Sequence, residues 1–368
     1  MKKALKLNVP IIYLNMVGGQ DELVFDGGSF VVDDLGEIIY QASSFKEEVF
    51  HLDIDLKIKK QNDKSSLLIR PKTTKLKDIK SKPSMSENES IYSALKLGLL
   101  DYVSKNKFTK VLIGISGGID SALTAAICVD ALGAQNVIGV AMPSKYNSKD
   151  SLNDAIKLST NLGIKLKTIE IEKIVDNFRE TLKNSLNEEL GQITDENIQS
   201  RVRGNILMGL SNQTGAMVVS TGNKSEMAVG YSTLYGDLAG GFALIKDLYK
   251  SKVYELSNYR NSISEVIPKD IITKEPSAEL RPNQLDTDSL PDYEVLDKIL
   301  NLYIEQDSSS EKIIATGIQP DLVYDVLEKV DRNEYKRKQV APGVKLTQKA
   351  FGKDRRMPIT NTYIRQKE

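Results

Sequence analysis

Short apolar segments separated by turn residues fill the N-terminal part of the chain. Three of them have the length and the β-branched and aromatic content of strands, namely residues 9–16, 28–34 and 37–43. Residues 18–27 are rich in Gly and acidic side chains, which predicts a loop. Residues 51–56 alternate between apolar and polar, which predicts an edge strand. We therefore expect a small β-rich region over residues 1–56.

A different pattern begins near Ser90, where apolar positions recur at helical spacing and alternate with short apolar runs. The predicted helices are residues 89–106, 121–132, 148–162, 172–190 and 195–214, and the predicted strands are residues 110–115, 136–143, 165–171 and 216–223. Strands that alternate with helices form parallel sheets, because each crossover needs a long connection to return the chain. The pattern predicts an α/β fold in which a parallel sheet carries helices on both faces.

The charge distribution separates these two regions. No Lys or Arg occurs in residues 8–45, whereas residues 57–82 hold ten of them against two acidic residues. This shift, together with Pro71 and Pro83, predicts a linker over residues 57–88. A basic arm that binds polyphosphate is the alternative. The chain is thus divided into residues 1–56, a linker at 57–88, and a larger domain at 89–368.

Composition limits the kind of protein. The 368 residues hold 50 Lys and Arg and 50 Asp and Glu, so the net charge is zero, which argues against nucleic acid or an anionic membrane as partner. One cysteine, Cys128, and one histidine, His51, exclude a disulfide framework, a Cys-rich zinc site and a multi-His metal site. No apolar run is long enough to span a bilayer, and no secretory cleavage signal is evident. We predict a soluble, cytoplasmic protein.

The segment Gly114–Ser121, with sequence GISGGIDS, carries the sharpest chemical signal. It follows a predicted strand and opens a predicted helix, where backbone N–H groups and the helix dipole favour an anion such as phosphate. Gly117 and Gly118 let the backbone approach that anion closely. Asp120 would repel a phosphate unless a cation lies between them, so it implies Mg²⁺. An ordinary Gly-rich turn with Ser as helix N-cap is the alternative.

This segment resembles the pyrophosphate loop of the ATP-pyrophosphatase superfamily, whose members adenylylate a substrate with ATP and release pyrophosphate. The loop alone does not choose among NAD synthetases, GMP synthetases, asparagine synthetases and tRNA-thiolating enzymes. Further motifs follow in order, namely residues 195–203, 220–226, 235–242, 274–280 and 333–338. Each motif by itself is weak evidence for a family, and the pattern of residues 195–203 would suit any capped amphipathic helix. Together they resemble the synthetase domain of bacterial NAD synthetases over residues 90–361.

The N-terminal region resembles a second part of that family. Residues 15–29 are similar to the closing part of the nitrilase-like glutaminase domain that precedes the synthetase in glutamine-dependent enzymes. The family's glutaminase residues, a Glu, a Lys and a Cys, lie upstream of this segment, so we expect them to be absent from this chain. Cys128 lies among Ala, Ile and Val, which predicts a buried core residue, and His51 is expected to be structural. Residues 1–56 would then be a C-terminal remnant of that domain, poorly packed alone or docked on another surface.

The resemblance implies an adenine nucleotide alpha hydrolase-like, Rossmann-like fold and an ATP-dependent amidation. Deamido-NAD⁺, ATP and ammonia would give NAD⁺, AMP and pyrophosphate through an adenylate of the nicotinate carboxylate. ATP and Mg²⁺ are the implied cofactors, and a separate glutaminase is a possible ammonia source. The family's synthetase domains pair, which implies a homodimer or a higher homo-oligomer. Another ATP-pyrophosphatase ligase, such as a GMP synthetase, and a non-catalytic fragment or subunit of a split enzyme are the alternatives.

Site residues follow from the resemblance, position by position, and none is assigned as catalytic. ATP contacts are implied for Gly114, Ile115, Ser116, Gly117, Gly118, Ile119, Asp120, Ser121, Thr221, Lys250 and Ser277. Contacts to deamido-NAD⁺ are implied for Asn197, Arg201, Glu226, Asp237 and Lys336, and a Mg²⁺ site for Asp120 and Glu226. Residues 329–368 are rich in Lys and Arg. They suggest either a solvated basic tail or, over residues 343–358, a lid above the substrate.

Overall fold

The computed structural model describes residues 1–52, 54 and 85–360. The chain divides into two compact units, one formed by residues 1–18 and 24–87 and the other by residues 19–23 and 88–368. Most of the predicted linker, residues 57–84, lies outside the described residues.

The first unit contains a small antiparallel sheet. The elements before residue 42 are α1 (Lys2–Leu7), β1 (Ile11–Tyr13), β2 (Val17–Gln20), β3 (Leu23–Asp26), β4 (Phe30–Val32) and β5 (Ile38–Gln41). Residues 19–23, in the β2–β3 hairpin, are counted with the second unit. The order in the three-stranded sheet is β1-β4-β5, and Val31 and Tyr40 are buried in its core. β2 and β3 pair as a two-stranded sheet, so the predicted loop at residues 18–27 is wrong. Asp21, at a positive φ of 54°, closes this hairpin in two residues.

The predicted edge strand at residues 51–56 is not formed where the structure describes it. His51, Leu52 and Ile54 lie in no strand, and the rest of that segment is outside the described residues. Leu52 and Ile54 pack instead on the small core around Tyr40. Their alternation therefore reflects burial of one side of an irregular segment rather than strand pairing.

The second unit contains the α/β fold that the periodicity predicts. Its strands are β6 (Val111–Gly114), β7 (Val137–Ala141), β8 (Lys165–Thr168), β9 (Met217–Ser220) and β10 (Phe242–Ala243). Its helices are α2 (Glu87–Lys105, in this unit from Asn88), α3 (Ile119–Leu132), α4 (Lys149–Leu162), α5 (Glu172–Leu186), α6 (Gln192–Thr214), α7 (Lys224–Val229), α8 (Lys250–Ile263), α9 (Lys269–Thr273), α10 (Tyr293–Leu300), α11 (Ser310–Ile314), α12 (Pro320–Arg332) and α13 (Glu334–Arg337). The strand order is β10-β9-β6-β7-β8, and every pairing is parallel.

Burial on both faces holds this sheet in the centre of the unit. Leu112, Val140 and Val218 pack against the helices α5 and α6, and successive residues point to the opposite face, where α3 and α4 lie. The strands therefore consist almost wholly of apolar residues, which is why sequence periodicity finds them. The predicted α/β class is confirmed. The short edge strand β10, in a stretch that looks like a polar turn, was not predicted.

A second apolar core lies among the C-terminal helices. Buried residues of α7, α10, α11 and α12 meet there, with a π-helical turn at Asn301–Glu305 between α10 and α11. The chain then returns along the sheet edge, where the N–H of Ala243 donates to the carbonyl of Pro342 at 2.7 Å. A Cβ on Gly343 would lie 2.0 Å from the carbonyl oxygen of Ala243, so only glycine fits this crossing. Among the described residues, no helix combines the length and apolarity that a bilayer span requires.

Candidate functional site

A cleft of about 530 Å³ opens in the second unit and includes the carboxyl ends of β6, β7 and β9. Ligands of open α/β folds bind at this edge, because loops and helix N-termini converge there. Of the residues predicted for the site, Gly114, Ile115, Ser116, Gly118, Ile119, Asp120, Ser121, Asn197, Thr221, Glu226, Asp237, Lys250, Ser277 and Lys336 line the cleft. Gly117 and Arg201 do not.

The loop between β6 and α3 has a geometry that only its glycines permit. Gly117 has a φ of 83°, and a Cβ there would lie 2.3 Å from the carbonyl oxygen of Ser151. Gly118 is the N-cap of α3, so serine is not the N-cap that the alternative prediction required. No side chain of the described residues caps the helix, which leaves its first N–H groups available to an anion.

Two serine hydroxyls hold this loop in shape. The hydroxyl of Ser121 donates to the carbonyl of Gly118 at 2.9 Å and accepts from the N–H of Ser116 at 3.3 Å. The hydroxyl of Ser116 accepts from the N–H of Gly118 at 3.2 Å. These bonds fix the turn from within the loop itself.

A lysine joins the two acidic residues at the centre of the cleft. Nζ of Lys250 lies 2.5 Å from Oδ2 of Asp120 and 3.3 Å from Oε1 of Glu226. Burial by itself would lower the pKa of Lys250, but Asp120 and Glu226 outweigh it and raise that pKa above its ordinary value. Burial raises the pKa of Glu226 to about 8, with repulsion from Asp120 and Asp286 acting in the same direction and Lys250 against it. Lys250 is thus held firmly in its charged form.

The arrangement suits a magnesium ion with a polyphosphate. Asp120 and Glu226 share one ammonium group, so a second cation between them would relieve their repulsion. Their oxygens are the hard ligands that Mg²⁺ prefers. Among the described residues, no group of three or more His, Cys, Asp or Glu side chains could hold a metal. Phosphate oxygens would have to complete the coordination, as they commonly do for Mg²⁺.

Asn223 fixes both carboxylates in place. Its side-chain amide donates to Oδ1 of Asp120 at 2.9 Å, and its side-chain oxygen accepts from the N–H of Glu226 at 3.0 Å. Asn223 is the N-cap of α7, and Glu226 completes a capping box by accepting from the N–H of Asn223. Sequence analysis quoted this asparagine within a motif but gave it no role, although Asn followed three residues later by Glu is a recognisable capping signal.

Another group of polar residues lines the cleft around the loop after α7. Thr233 donates through its hydroxyl to Oδ1 of Asn197 at 2.8 Å and through its N–H to Oδ1 of Asp237 at 2.6 Å. Lys336 donates to the carbonyls of Gly230 at 2.7 Å and Ser232 at 2.8 Å. Burial lowers the pKa of Lys336, against the attraction of Asp237. The predicted contacts for deamido-NAD⁺ other than Arg201 therefore face the same space as the phosphate loop.

Arg201 and Arg203 occupy different surroundings. Arg201 is exposed and donates to the carbonyl of Leu234 at 3.2 Å, outside the cleft lining. Arg203 lines the cleft and donates to the carbonyl of Met142 and to Oδ1 of Asn147, each at 3.0 Å. Burial lowers the pKa of Arg203 to about 10. Sequence analysis missed Arg203, although helical spacing places it on the cleft-lining stripe at positions 196, 200, 203 and 207.

A loop between α9 and α10 borders the cleft and carries Ser277. Glu279 accepts hydrogen bonds from Ser151 at 2.6 Å and from Asn147 at 2.8 Å, and pairs with Lys274 at 3.1 Å. Burial would raise the pKa of Glu279, but these donors lower it below its ordinary value. Glu279 also has a positive φ of 48°, uncommon for a non-glycine residue. This glutamate ties the loop to the start of α4, whose Ser151 touches Gly117, and sequence analysis did not identify it.

The part of the basic C-terminal segment that the structure describes, up to residue 360, does not cover the cleft. Lys336 lines it, but no described residue after Lys336 does. Val344 is buried, and the carboxylate of Asp247 accepts from the N–H groups of Leu346 and Thr347. Residues 343–358 thus form neither the predicted lid nor a wholly solvated tail.

A family model described as NAD synthase matches residues 91–340. The chain belongs to the NAD synthase family. The glutamine-dependent NAD⁺ synthetase of Thermotoga maritima is 49% identical over 98% of this chain and 66% of that protein. The chain therefore spans slightly less than two thirds of the length of this relative.

Solved structures of the NAD synthase family share the fold. A glutamine-dependent NAD⁺ synthetase from Acinetobacter baumannii, in complex with ADP, matches with a TM-score of 0.66 and 45% identity, over 97% of this chain and 63% of that one. An NH₃-dependent NAD synthetase from Campylobacter jejuni matches with a TM-score of 0.57 and 30% identity, over 69% of this chain and 97% of that one. The resemblance drawn from the sequence is confirmed at the level of the family and the fold.

Proposed function

We propose that this chain catalyses the ATP-dependent amidation of deamido-NAD⁺ by ammonia, which yields NAD⁺, AMP and pyrophosphate. The observation that carries the proposal is the meeting, in one cleft, of the loop Gly114–Ser121 with the Asp120–Lys250–Glu226 group. Membership of the NAD synthase family supports the choice of reaction. The names of the relatives support NAD⁺ as the product.

The phosphate end of the site explains how ATP would be held. The free N–H groups at the start of α3 and the glycine backbone would bind phosphate oxygens. Lys250, fixed in its charged form, would neutralise charge that develops on the phosphates as the nicotinate carboxylate attacks the α-phosphorus. Asp120 and Glu226 would hold Mg²⁺, which would supply positive charge to neutralise the polyphosphate. Pyrophosphate then leaves, and the carboxylate is converted to an adenylate with a good leaving group.

The other end of the site would hold the second substrate. Asn197, Asp237 and Lys336 line the cleft and would offer an amide, a carboxylate and an ammonium group to deamido-NAD⁺. Glu226, which also lines the cleft, would face both substrates. Ammonia attacks the activated carbonyl, AMP departs, and the C–N bond of the amide is formed. Orientation of the substrates and stabilisation of developing charge supply most of the rate enhancement in such a reaction, so no His or Cys is required as a catalytic group. Arg201 as a further contact remains a prediction.

Ammonia is the proposed nitrogen donor for this chain. Cys128, the one cysteine of the sequence, is fully buried in α3, and burial raises the pKa of its thiol above its ordinary value. It is therefore unsuited to act as a glutaminase nucleophile. Four further points stay predictions: a separate glutaminase, a homodimer or higher homo-oligomer, the assignment of residues 1–56 to a nitrilase-like domain, and a cytoplasmic location.

A pyrophosphate-release assay tests the function. The chain is supplied with ATP, Mg²⁺ and deamido-NAD⁺, first with ammonium and then with glutamine, and the formation of NAD⁺ is measured in parallel. We expect turnover with ammonium and none with glutamine. Xanthosine monophosphate in place of deamido-NAD⁺ is the control for a GMP synthetase. Absence of NAD⁺ formation from a chain that binds ATP would favour the alternative of a non-catalytic subunit.

A further inference from the structure

Lys224, the first residue of α7, is fully buried, with 0% of its surface exposed. Its ammonium nitrogen lies 2.8 Å from Oδ1 of Asp247 and 2.6 Å from Oε1 of Glu305. It also donates to the hydroxyl of Thr347 at 2.6 Å and to the carbonyl of Lys349 at 3.0 Å. Four acceptors thus surround one ammonium group away from the cleft, which does not include Lys224 in its lining.

The two carboxylates of this cluster hold the C-terminal segment Leu346–Lys349. Oδ2 of Asp247 accepts from the N–H groups of Leu346 at 2.7 Å and Thr347 at 2.8 Å. Oε2 of Glu305 accepts from the N–H of Lys349 at 2.8 Å. The segment Leu346–Lys349 is therefore bonded to three separate parts of the fold. These are α7 through Lys224, the link between β10 and α8 through Asp247, and the π-helical turn through Glu305.

Stability alone does not account for such a cluster. Burying ions costs free energy, and well-packed apolar residues of similar volume are often as stabilising or more so. The charged groups instead have strict geometric requirements, because each must keep its partners or remain buried and unpaired. Glu305 moreover ends a π-helical turn, a rare form that is frequent at functional sites.

Lys224 is adjacent in sequence to the residues that organise the cleft. Asn223 immediately precedes it and holds Asp120, and Glu226 follows two residues later. Ser225 accepts from the N–H of Lys250 at 2.9 Å and donates to Asp297. Glu226 in the first turn of α7 thus lines the cleft, and Asn223 bonds to Asp120 from a fully buried position. Lys224 and Ser225 bond instead to other parts of the protein.

We propose that Lys224 is a positioning residue. By holding the segment Leu346–Lys349 against α7, it sets the orientation of Glu226 in the cleft and of Asn223 behind it, where Asn223 holds Asp120. Asp247 and Glu305 orient the lysine, and the C-terminal segment closes the cluster. The consequence for turnover rests on the proposed function, whereas the coupling between the C-terminal segment and α7 does not.

Two variants with a matched control test this role. Lys224→Met removes the charge and keeps most of the side-chain length. Thr347→Val removes, at nearly constant volume, the hydroxyl that accepts from Lys224 and donates to Asp247, and it leaves Lys224 in place to pair with both buried carboxylates. The control is Arg260→Met. Arg260 pairs with Asp130 at 2.6 Å at the far ends of α8 and α3, the same two helices that begin near Lys250 and Asp120. Lys224→Arg tests whether the charge is sufficient.

The first measurement is amide hydrogen exchange in the ligand-free chain. We expect Lys224→Met and Thr347→Val to speed exchange both at residues 346–349 and at residues 223–227, whereas Arg260→Met leaves these two segments unchanged. The second is steady-state turnover with ammonium. We expect kcat to fall by about 10- to 100-fold in Lys224→Met, since small misplacement of reacting groups has effects of this size. KM for deamido-NAD⁺ should change by less than about threefold, and Lys224→Arg should recover part of kcat.

The results separate the two hypotheses. If the unaltered chain forms no NAD⁺, the proposed function fails, while the exchange data still decide the positioning role. If Lys224→Met and Thr347→Val loosen residues 346–349 but leave exchange at residues 223–227 as in the unaltered chain, the positioning role is wrong. It is equally wrong if Lys224→Met lowers thermal stability as Arg260→Met does and keeps the kcat of the unaltered chain.

Discussion

Lys250 and Asp120 are 130 residues apart in sequence, yet the ammonium nitrogen of one lies 2.5 Å from a carboxylate oxygen of the other. The pair joins the N-terminal turns of α3 and α8, and Glu226 shares the same ammonium at 3.3 Å. A positive and a negative group are thus held beside the helix terminus that would bind phosphate. This relationship is the basis for the first prediction.

Asp120→Asn should impair turnover without unfolding the chain. The amide keeps the volume and can still contact Asn223, but it neither ligates Mg²⁺ well nor balances Lys250. We expect kcat with ammonium to fall by about 100-fold or more, as for the loss of other charge-stabilising groups. Initial rates of NAD⁺ formation at several Mg²⁺ concentrations measure this fall in kcat. Asp270→Asn, at an exposed carboxylate on α9, is the control, and normal NAD⁺ formation by Asp120→Asn would show that the metal role is wrong.

Gly117→Ala should damage the phosphate loop. The residue has a φ of 83° and its new Cβ would lie 2.3 Å from the carbonyl of Ser151, so the loop must shift. We expect the free energy of unfolding to fall by about 1–3 kcal/mol and KM for ATP to rise. The matched control is Gly209→Ala in α6, where nothing lies within 4 Å of the added carbon. That change should be neutral or stabilise the chain by up to about 1 kcal/mol.

Urea unfolding of Gly117→Ala and Gly209→Ala measures both effects. Equal stability of the two variants would contradict the close approach of Gly117 to Ser151. If Gly117→Ala is less stable but its KM for ATP is unaltered, the conformation of this loop does not determine nucleotide binding.

Arg201→Ala tests the predicted contact that lies outside the cleft lining. The side chain is exposed, so its removal should leave the free energy of unfolding unchanged. If Arg201 binds a phosphate or the carboxylate of deamido-NAD⁺, KM for that substrate should rise by about tenfold or more. This is the loss of affinity expected when a charge-assisted hydrogen bond is removed. KM for ATP should stay constant. Arg332→Ala, at an exposed position of α12, is the control; equal KM values for deamido-NAD⁺ in both variants would rule out the contact.

Glu172 at the start of α5 should make stability depend on acid pH. Burial would raise its pKa, but the N–H and ammonium of Lys145 and the guanidinium of Arg179 outweigh it and lower the pKa to about 2, from an ordinary value of 4.5. Because the folded-state pKa is depressed, this stabilisation is present above about pH 4.5 and is lost as the pH falls toward 2.

The measurement is urea unfolding of the unaltered chain and Glu172→Gln between pH 7 and pH 2.5. At pH 7 the variant should be less stable by about 1 kcal/mol, a modest value because the ion pairs are partly exposed. The difference should shrink as the pH approaches 2.5. Glu180→Gln, at an exposed position of the same helix, is the control. A difference between Glu172→Gln and the unaltered chain that does not vary with pH would contradict the ion-pair origin.

Local sequence patterns were enough to predict much of the fold and the position of the loop Gly114–Ser121. The buried strands β6, β7 and β9 are continuous apolar runs, and the segment Gly114–Ser121 joins a strand to a helix through a glycine-rich turn, which is a local signal for phosphate binding. These features depend on neighbours in sequence, since periodicity, glycine conformation and helix termini are local properties. The motifs that followed the loop then identified the family.

The partners of the site residues were decided by tertiary structure. No spacing along the chain shows that Asn223 would hold Asp120 or that Glu279 would tie its loop to Ser151. Helical spacing groups Arg203 with positions 196, 200 and 207, but only the packed structure shows that this stripe, and not Arg201, lines the cleft. The same is true of Lys224, which a sequence pattern would place on an exposed helix start. Each of these groups is charged or polar and loses water on folding, so its position is set by whichever buried partner satisfies it. Such partners come together only when distant segments pack.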